Sequence, residues 1–435
     1  MKVLVVGNGG REHALAWKLL QSPYVEQVIC TPGNGGTAML ANCYNLPLAV
    51  DDFAGIAQAA LSQGVSLVVV GPEVPLSLGI ADYLQQYNIK VFGPTRAGAQ
   101  IEASKSWAKA LMAEARVPTA KYQTFTDVAA AKSYIAAEGA PIVIKADALA
   151  AGKGVIVAST LEEAYAAVES LWQQGLTTVV LEEFLEGEEV SLLALTDGMN
   201  FCSLLPAVDH KRIGEGDRGL NTGGMGAYAP APLVTPELLT RINKEIIEPT
   251  VATLRRRGID YRGVLYAGLM ISREGNLQVL EYNCRFGDPE IQAILPLLKT
   301  PLDELLLACV EQKLGDLLPI QWHRGSCVCV VMAAGGYPGA YVKGKEIKYL
   351  EKAEKLGSVV FQGGTKIEGE ELVTDGGRVL GVTAVGEEMK EAIAAVYRGV
   401  ECIEFEGMYY RRDIGYRGLN RTSTLHQSSY KETSL

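Results

Sequence analysis

Hydrophobic positions in the first hundred residues follow two alternating periods. Short apolar runs bounded by turn residues predict strands, and between them apolar residues recur at the three-to-four-residue spacing of amphipathic helices. The predicted strands are KVLVV, QVICT, SLVVV and KVFG. The predicted helices begin at about Glu12 and lie near 53–63 and near 77–87. Strands and helices that alternate at this spacing predict a parallel, doubly wound sheet, and therefore an α/β fold for this part of the chain.

The remaining sequence divides into further units that are richer in strands. A helix is predicted over 104–120, ending at Val117-Pro118. Beyond it, the paired apolar runs PIVIKAD and GVIVAS predict adjacent strands, and LQVLEYN predicts a strand that ends in polar residues. The predicted units are residues 1–103, 104–120, 121–190, 191–325, 326–419 and a polar tail at 420–435. The tail lacks periodicity, so we expect it to be disordered.

Composition and charge narrow the class of protein. With 435 residues, of which 48% are hydrophobic and 21% charged, the chain is long enough for several folded cores. A net charge of −10 argues against a nucleic-acid binder. No apolar span is long enough to cross a membrane, and the apolar run at the amino end is too short for a signal peptide. The eight cysteines form no CxxC pair and there are only four histidines, so we expect a reduced, cytoplasmic protein without structural zinc.

The segment VLVVGNGGREHA follows a predicted strand and opens a helix. Backbone amides at such a helix start can hold an anion, because the helix dipole is positive there. A nicotinamide-binding fold would need GxGxxG and an acidic residue that closes the second strand. Glu12 replaces the third glycine, and the second strand runs QVICTPGN. A phosphorylated ligand is therefore favoured over a nicotinamide cofactor, with a merely tight turn as the remaining alternative.

Two further segments carry candidate nucleotide contacts. IKADALAAGKGVIV lacks the spacing of a Walker loop and joins two predicted strands, which favours a hairpin lid over phosphates. In such a lid Lys145 is fixed on a strand and Lys153 is mobile; an exposed glycine hairpin is the alternative. LEEFLEGEEVSLL leads from a strand into a turn rich in carboxylates. We expect its backbone to contact an adenine edge and Glu188 to reach a ribose, unless the carboxylates form a solvated face.

The stretch LQVLEYNCRFGDPE gathers polar side chains at the end of a buried strand. Glu281 and Asn283 alternate on that strand and face the same side. Their oxygens are hard ligands suited to Mg²⁺, which in turn suits nucleotide phosphates. Arg285 lies on the same face by parity and is placed to steady a phosphoryl or acyl-phosphate group. An ion-pair network is the alternative interpretation of so many polar groups at a sheet end.

These segments together resemble the ATP-grasp superfamily. The lysine-bearing strand, the glycine hairpin, EEFLEGEE and the final ExN strand carry the resemblance. Four segments are further similar to the phosphoribosylamine–glycine ligase family, namely VGNGGREHA, GPEVPL, HKRIGEGDRGLNTGGMGAYAPAP and EYNCRFGDPE. The similarity extends over about residues 1–419. It implies a multi-domain ATP-grasp fold, α/β overall and α+β in the ATP-grasp part, with an amino-terminal doubly wound domain and a β-rich carboxy-terminal domain.

The resemblance also implies a reaction. The family joins glycine to 5-phosphoribosylamine in de novo purine biosynthesis, splits ATP to ADP and phosphate through a glycyl-phosphate intermediate, and forms glycinamide ribonucleotide. Such chemistry needs little acid–base machinery, so positioning and charge neutralisation should dominate. The implied cofactor is Mg²⁺ or Mn²⁺, and the implied partners are the small-molecule substrates ATP, glycine and 5-phosphoribosylamine, with no nucleic acid and no membrane.

Carried onto this sequence, the resemblance implies a role for each of the following residues. Those implied for ATP are Lys105, Lys145, Lys153, Glu182, Glu183, Phe184, Leu185 and Glu188. Those implied for the phosphoribosyl substrate, the transferred phosphate or glycine are Asn8, Gly9, Gly10, Arg11, Glu73, Asn221, Thr222, Gly223, Gly224, Met225, Gly226 and Asp288, the last as a candidate for the glycine ammonium. Those implied in catalysis are Arg285, Lys211 and Asp209, and those implied for the metal are Glu281 and Asn283.

The sequence departs from the family pattern in two places. Many ATP-grasp enzymes take a third metal carboxylate from the strand before Glu281, but YAGLMIS is apolar until Ser272. The chain also ends soon after RRDIG, which favours a stand-alone enzyme of bacterial type. We separately expect a monomer that meets other purine-pathway enzymes transiently. The alternatives are another ATP-grasp carboxylate–amine ligase of purine metabolism, a non-catalytic nucleotide-binding regulator and, least favoured, a nicotinamide oxidoreductase.

Overall fold

The computed structural model describes residues 1–149 and 154–419, and its amino end is a five-stranded parallel sheet. Its elements are β1 (Lys2–Gly7), α1 (Gly10–Leu19), β2 (Gln27–Pro32), α2 (Gly35–Met39), β3 (Cys43–Asn45), α3 (Phe53–Gln63), β4 (Leu67–Val70), α4 (Glu73–Leu78), α5 (Ile80–Gln85) and β5 (Val91–Phe92). The strand order β3-β2-β1-β4-β5 confirms the doubly wound sheet. The single helix expected near 77–87 is wrong, because Gly79 adopts a left-handed φ of 94° and separates α4 from α5.

A small antiparallel sheet follows. Its elements, with the two helices that lead to it, are α6 (Arg96–Ala103), α7 (Lys105–Ala115), β6 (Tyr122–Phe125), α8 (Val128–Glu138), β7 (Ile142–Ala146), β8 (Val155–Ala158), α9 (Leu161–Gln173) and β9 (Val179–Glu183). The order is β6-β9-β7-β8, and we call these strands the small sheet. The helix expected over 104–120 stops earlier, since Arg116 takes a left-handed φ of 56°. Lys153 lies outside the described residues, as does the tail at 420–435.

The central sheet has the order β11-β10-β16-β17 and is antiparallel. The elements of this region are β10 (Glu188–Thr196), β11 (Phe201–Ser203), β12 (Val208–Asp209), β13 (Arg212–Gly214), β14 (Arg218–Asn221), β15 (Gly226–Ala229), α10 (Pro236–Ile242), α11 (Glu248–Arg256), β16 (Gly263–Ile271), β17 (Leu277–Asn283), α12 (Glu290–Ile294) and α13 (Leu302–Glu311). Strand β17 coincides with the predicted LQVLEYN. A π-helical turn, Asn243–Ile247, joins α10 to α11, and short 3-10 turns occupy Leu295–Leu297 and Leu314–Leu317.

The carboxy-terminal sheet draws strands from two distant parts of the chain. The elements of this last region are β18 (Ser326–Ala333), α14 (Leu350–Lys355), β19 (Val359–Gln362), β20 (Thr365–Glu368), β21 (Glu371–Thr374), β22 (Arg378–Gly386) and α15 (Met389–Val400), with β20 and β21 paired in a separate hairpin. The order is β12-β15-β18-β22-β19. Strand β15 therefore leaves the central region and pairs with β18, with Gly226 opposite Val330. The glycine-dense segment GEGDRGLNTGGMGAY lies in part in this strand and in part in the hairpin β13–β14.

Buried apolar strands hold these sheets together. Strands β1 and β4 are buried along nearly their whole length, and the central strand β16 is buried on both faces. Continuous runs of buried valine, leucine and isoleucine are typical of strands that are covered on both sides. No helix among the described residues has the length and apolar character needed to cross a membrane.

Candidate active site

Residues from all the sheet regions line one cleft of about 1530 Å³. Arg11 enters from the amino-terminal sheet region, Lys145 from the small sheet, Glu281 from the central sheet and Arg378 from the carboxy-terminal sheet. The cleft therefore lies where the parts of the chain meet. It holds charges of both signs, which is typical of a site for charged small molecules.

Two buried lysines share one carboxylate at the small-sheet side of the cleft. Lys109 and Lys145 donate from their Nζ atoms to Oε2 of Glu182, at 2.9 and 3.0 Å, and Lys145 also donates to the Leu280 carbonyl at 2.8 Å. Lys109 is 2% exposed, as is Glu182. Burial lowers the pKa of Lys109 to about 8, although Glu182 opposes this shift. The second oxygen of Glu182, Oε1, is buried without a hydrogen-bond partner in the described part of the chain.

Sequence reasoning missed Lys109. The signal was available in α7, where Lys109 lies one helical turn after Lys105 and beside the buried Ala108 and Met112. A charged residue on the apolar face of an amphipathic helix needs a buried partner. Its partner, Glu182, is 73 residues away along the chain and only the tertiary structure identifies it.

Lys105 and the turn after β9 extend the same side of the cleft. Lys105 begins α7 after the cap Ser104, and its Nζ donates to the Ala148 carbonyl at 2.9 Å. Burial lowers the pKa of Lys105. In the turn, Glu183 accepts from the Lys121 amide at 2.8 Å and Phe184 is 41% exposed. The predicted nucleotide residues of the turn that line the cleft are Glu182, Glu183, Phe184, Leu185 and Glu188.

Glu281 and Asn283 of β17 face the cleft together, as the strand period predicts. Burial disfavours ionisation of Glu281, but Lys211, Lys145 and Lys105 outweigh it and lower its pKa. Lys211 Nζ lies 3.9 Å from Glu281 Oε1. The described residues contain no group of three or more His, Cys, Asp or Glu side chains placed to hold a metal ion. An ionised carboxylate and an amide oxygen fit Mg²⁺ when nucleotide phosphates supply further oxygens, and the three lysines favour such phosphates.

Arg285 lies between two carboxylates. Its Nε donates to Glu73 Oε2 at 3.2 Å, and its Nη2 lies 2.9 Å from Glu102 Oε1. Burial would raise the pKa of Glu73, but Arg285 and Arg11 outweigh it and lower that pKa. Glu73, predicted at the ribose hydroxyls, therefore also orients Arg285. Glu102 was not predicted; it accepts from the Cys284 amide at 2.8 Å, and burial raises its pKa against the influence of Arg285.

Glu12, which replaces the third glycine of the dinucleotide-binding pattern, closes the loop before α1. Glu12 accepts from the Gly9 amide and from Arg11 Nε, each at 2.6 Å. Arg11 Nη1 donates to the Phe286 carbonyl at 3.1 Å, which ties the loop to the segment after β17. Asn34, also missed, donates from Nδ2 to the Asn8 carbonyl at 2.9 Å.

A second cavity, of about 260 Å³, adjoins this loop. Asn8, Gly9 and Gly10 form one wall, and Gly363 and Gly376 of the carboxy-terminal region form part of the other. A helix start with glycine-rich walls opposite is suited to an anionic group such as a phosphate. The carboxy-terminal walls of this cavity were not predicted.

Arg378 of β22 connects the carboxy-terminal sheet to the cleft. Its Nη2 donates to Asp288 Oδ2 at 2.8 Å, and its Nη1 donates to the carbonyls of Asp288, at 2.7 Å, and of Gly223. Gln292 Nε2 donates to the other oxygen of Asp288 at 2.6 Å. Within the segment Asn221 to Gly226, which the resemblance implies for the substrate, Asn221, Thr222 and Gly223 line the cleft.

Met225 and Gly226, the last residues of this segment, have a different environment. Met225 is fully buried in the hydrophobic core, and Gly226 is paired within β15. The Met225 side chain therefore packs into the core, and the substrate role that the resemblance implies for Met225 and Gly226 stays a prediction. Gly224 packs against Asp209 and Pro289.

Asp209 and Lys211, which flank His210 in the sequence, both line the cleft. Lys211 Nζ lies 3.2 Å from Glu189 Oε2, and Glu189 is the main reason that the pKa of Lys211 is raised well above its usual value. Asp209 Oδ1 is buried and has no hydrogen-bond partner within the described residues. Neighbouring Glu290 accepts from Ser191 and Tyr266 at 3.0 and 2.8 Å.

A cleft lined by Lys145 of one antiparallel sheet, by lysines of the adjoining helix α7 and by an acid–amide pair of another sheet defines a protein of the ATP-grasp class. Three family models described as phosphoribosylglycinamide synthetase match the chain: the N domain at 1–102, the ATP-grasp (A) domain at 103–291 and the C domain at 327–417. The chain belongs to the phosphoribosylglycinamide synthetase family.

Individual relatives agree with this assignment. A phosphoribosylamine–glycine ligase from Nostoc sp. is 65% identical over 96% of this chain and 99% of its own length. The crystal structure of phosphoribosylamine–glycine ligase from Thermotoga maritima matches with a TM-score of 0.83 at 35% identity, over 95% of this chain and 100% of that one. The biotin carboxylase domain of the 2-oxoglutarate carboxylase from Hydrogenobacter thermophilus shares the fold, with a TM-score of 0.71 at 18% identity over 99% of both chains.

Proposed function

We propose that this protein catalyses the ATP-dependent ligation of glycine to 5-phosphoribosylamine, which yields glycinamide ribonucleotide, ADP and phosphate in de novo purine biosynthesis. The observation that carries the proposal is the convergence, in one cleft, of the nucleotide-facing Lys105 and Lys145, the acid Glu281 and two arginines from outside the ATP-grasp sheets, Arg11 and Arg378. The relatives named as phosphoribosylamine–glycine ligases support the choice of substrates.

The reaction takes place in two steps that conserve atoms and charge. A carboxylate oxygen of glycine attacks the terminal phosphorus of ATP, the bond to the bridging oxygen of ADP breaks, and glycyl phosphate forms. The amine nitrogen of phosphoribosylamine then attacks the carbonyl carbon, the C–N bond forms, the amine loses a proton and phosphate leaves. Positioning and charge neutralisation supply most of the rate in such transfers.

Different side chains bind different charged groups of the substrates. Lys105 and Lys145 are placed to bind the nucleotide phosphates, and Glu182 with the following turn is placed to bind the base. Glu281 and Asn283 would hold the divalent cation, which when bound neutralises phosphate charge. Arg285, held by Glu73 and Glu102, is placed to stabilise negative charge on the acyl phosphate.

The amino-terminal and carboxy-terminal parts supply the site for the phosphoribosyl group. Asn8, Gly9 and Gly10 after β1 line the cavity for the phosphate, as a helix start favours, and Arg11 lines the cleft beside it. Gly363 and Gly376 close the cavity from the opposite side. The choice between Mg²⁺ and Mn²⁺, the monomeric state, transient contacts with other purine-pathway enzymes and the cytoplasmic location stay predictions.

The decisive experiment measures ADP release from ATP and Mg²⁺ with glycine and freshly generated phosphoribosylamine, added separately and together. We expect ADP and phosphate only when both substrates are present, together with the mass of glycinamide ribonucleotide. Turnover with a different carboxylate would instead identify another ATP-grasp ligase. ATP binding without turnover under all these conditions would identify a nucleotide-binding regulator.

A further inference from the structure

The hairpin β13–β14 has one side toward the cleft and another toward solvent. Arg212 and Asp217 of the hairpin line the cleft, whereas Leu220 is 67% exposed. Lys211, which immediately precedes β13, lies 3.9 Å from Glu281 Oε1. The base of the hairpin therefore adjoins the end of the cleft at which the metal and the transferred phosphate are predicted to lie, and the hairpin stands between that end and solvent.

This hairpin has little stability of its own. Its strands form a separate two-stranded sheet, in which Arg212 pairs with Asn221 and Gly214 with Arg218, with an irregular register between the two pairs. A hairpin of two strands is at best marginally stable in water. Its apolar contribution to the core is small, since Ile213 is only partly buried. The position of the hairpin therefore depends on contacts with other segments of the chain.

The segment that contains the motif RRDIG supplies the strongest of these contacts. Arg411 is fully buried and donates from Nη1 to the Arg212 carbonyl at 3.0 Å and to Asp217 Oδ1 at 2.9 Å. Asp413 accepts from Nε and Nη2 of Arg411, each at 2.8 Å, and its Oδ2 also accepts from the Gly216 amide at 2.8 Å. A guanidinium that binds a carboxylate through two parallel bonds has a fixed geometry. Arg411 and Asp413 together therefore hold both the first strand and the turn of the hairpin.

Neighbouring side chains reinforce this attachment. The Tyr409 hydroxyl donates to the Ile213 carbonyl at 2.9 Å. The Tyr416 hydroxyl donates to Asp217 Oδ2 at 2.6 Å, and Arg417 donates to the same oxygen. Asp217 has a left-handed φ of 57°, a conformation that costs free energy in a residue other than glycine and persists where surrounding contacts enforce it. The turn of the hairpin is thus held by the carboxy-terminal part of the chain.

The acyl phosphate of the proposed reaction needs protection from water. Water that attacks its carbonyl carbon would break the bond to phosphate, return glycine and phosphate and release a proton, so that ATP would be consumed without product. A site that forms such an intermediate gains from walls that exclude water. Arg411 is 0% exposed, so it influences the cleft only through the hairpin that it holds.

We propose that Arg411, paired with Asp413, is a positioning residue that holds the hairpin β13–β14 as a wall against water beside the acyl phosphate. This role rests on the proposed function, because only a water-sensitive intermediate makes an open wall harmful. Loosening of the attachment uncouples ATP cleavage from ligation, so that ADP is released in excess of glycinamide ribonucleotide.

The first measurement is the ratio of ADP released to glycinamide ribonucleotide formed, in Arg411→Met and in wild type, at saturating ATP, Mg²⁺, glycine and phosphoribosylamine. Wild type should release one ADP for each molecule of product. In the variant we expect the ratio to rise by about twofold or more, because water competes with the amine for the acyl phosphate. A variant that is merely less stable would contain less active enzyme but keep the wild-type ratio.

The second measurement follows the hairpin directly, by trypsin cleavage after the exposed Arg218 with mass spectrometry as the readout. Loss of hydrogen bonds between charged groups shifts a local opening equilibrium by about 10- to 100-fold. Cleavage after Arg218 should therefore be faster by this factor in Arg411→Met. Cleavage after the exposed Lys355 of α14 is the internal reference and should keep its wild-type rate, because general destabilisation would accelerate both sites.

Two neighbouring tyrosines give a milder, matched pair of variants that serves if Arg411→Met does not fold. Tyr409→Phe removes the hydroxyl that donates to the Ile213 carbonyl. It should raise the ADP ratio and accelerate cleavage after Arg218 by about 2- to 10-fold, the effect of one neutral hydrogen bond. Tyr410→Phe is the control: it keeps the ring contact with Arg412 and removes a hydroxyl that makes no hydrogen bond to the hairpin in the described part of the chain.

The outcomes separate this role from the proposed function. A wild-type ADP ratio in Arg411→Met, or in Tyr409→Phe if the first variant does not fold, would overturn the role and leave the ligase intact. Equal acceleration of cleavage at Arg218 and Lys355, or an equally raised ratio in Tyr410→Phe, would overturn it as well. Wild type without glycine-dependent ADP release would overturn the proposed function, and the water-excluding role with it.

Discussion

The pKa values of acidic side chains in the cleft depend on burial and on the charges of their neighbours. Glu281 is flanked by three lysines, which lower its pKa, whereas Asp209 is buried beside another carboxylate and its pKa is raised. The two acids therefore differ in how readily they ionise, and Glu281 is the one suited to a divalent cation.

Glu281→Gln tests the metal site at this scale. Partners that merely support a metal ligand are worth 10–100-fold in metal affinity, so loss of a ligand should weaken the apparent affinity for Mg²⁺ by at least about 100-fold. The measurement is turnover against Mg²⁺ concentration. Glu370→Gln, at an exposed position, is the control. An unaltered Mg²⁺ dependence in Glu281→Gln would remove the metal assignment.

Among the elements, α7 makes the firmest connection between the amino-terminal part and the small sheet. Ser104 caps the helix, and its first residues present Lys105 and, one turn later, Lys109 on the same side. Lys109 also donates to Thr119 Oγ1 at 2.7 Å, and Thr119 donates to the Val279 carbonyl of β17 at 2.6 Å. A single helix face thus reaches both β9 and β17.

Lys109→Met tests this connection. Removal of a buried, charged hydrogen-bond donor should lower the free energy of unfolding by roughly 1.5–3 kcal/mol and leave Glu182 held by Lys145 alone. The KM for ATP should rise, with a smaller change in the KM for glycine. Denaturant unfolding and steady-state kinetics measure the two effects. Lys132→Met, which removes a surface pair with Glu169, should change neither quantity appreciably; equal behaviour of the two variants would refute the role of Lys109.

At the scale of the whole molecule, the carboxy-terminal sheet completes the cleft. Strand β15 comes from the middle of the chain and joins β18 and β22, and this places Arg378 beside Gly223 and Asp288. The cleft is therefore assembled from the amino-terminal, central and carboxy-terminal parts of the sequence. The two ATP-grasp sheets alone would lack this wall.

Arg378→Lys tests the contribution of the carboxy-terminal sheet. Lysine keeps the charge but cannot make the several directed bonds of a guanidinium, so kcat/KM for glycine should fall by about 10-fold or more while the KM for ATP changes little. Arg398→Lys, exposed on α15, is the matched control and should behave as wild type. A fall confined to ATP affinity would contradict this role.

The sequence alone predicted many of the local elements and the kinds of chemistry. The alternation along β17 correctly placed Glu281 and Asn283 on one face, and the run of strands and helices up to Phe92 predicted the parallel sheet. These features depend on neighbours a few residues apart, which periodicity reports directly. The motifs that resemble the ligase family were likewise contiguous.

Only the tertiary structure decided which charged side chains form ion pairs. Arg285 and Glu73 are 212 residues apart, Arg378 and Asp288 are 90 apart, and Lys109 and Glu182 are 73 apart. The entry of β15 into the carboxy-terminal sheet is equally invisible in the local pattern, because strand partners are chosen by packing and register over the whole fold. The sequence therefore determined the inventory of functional side chains, and the packing of distant strands determined which of them pair.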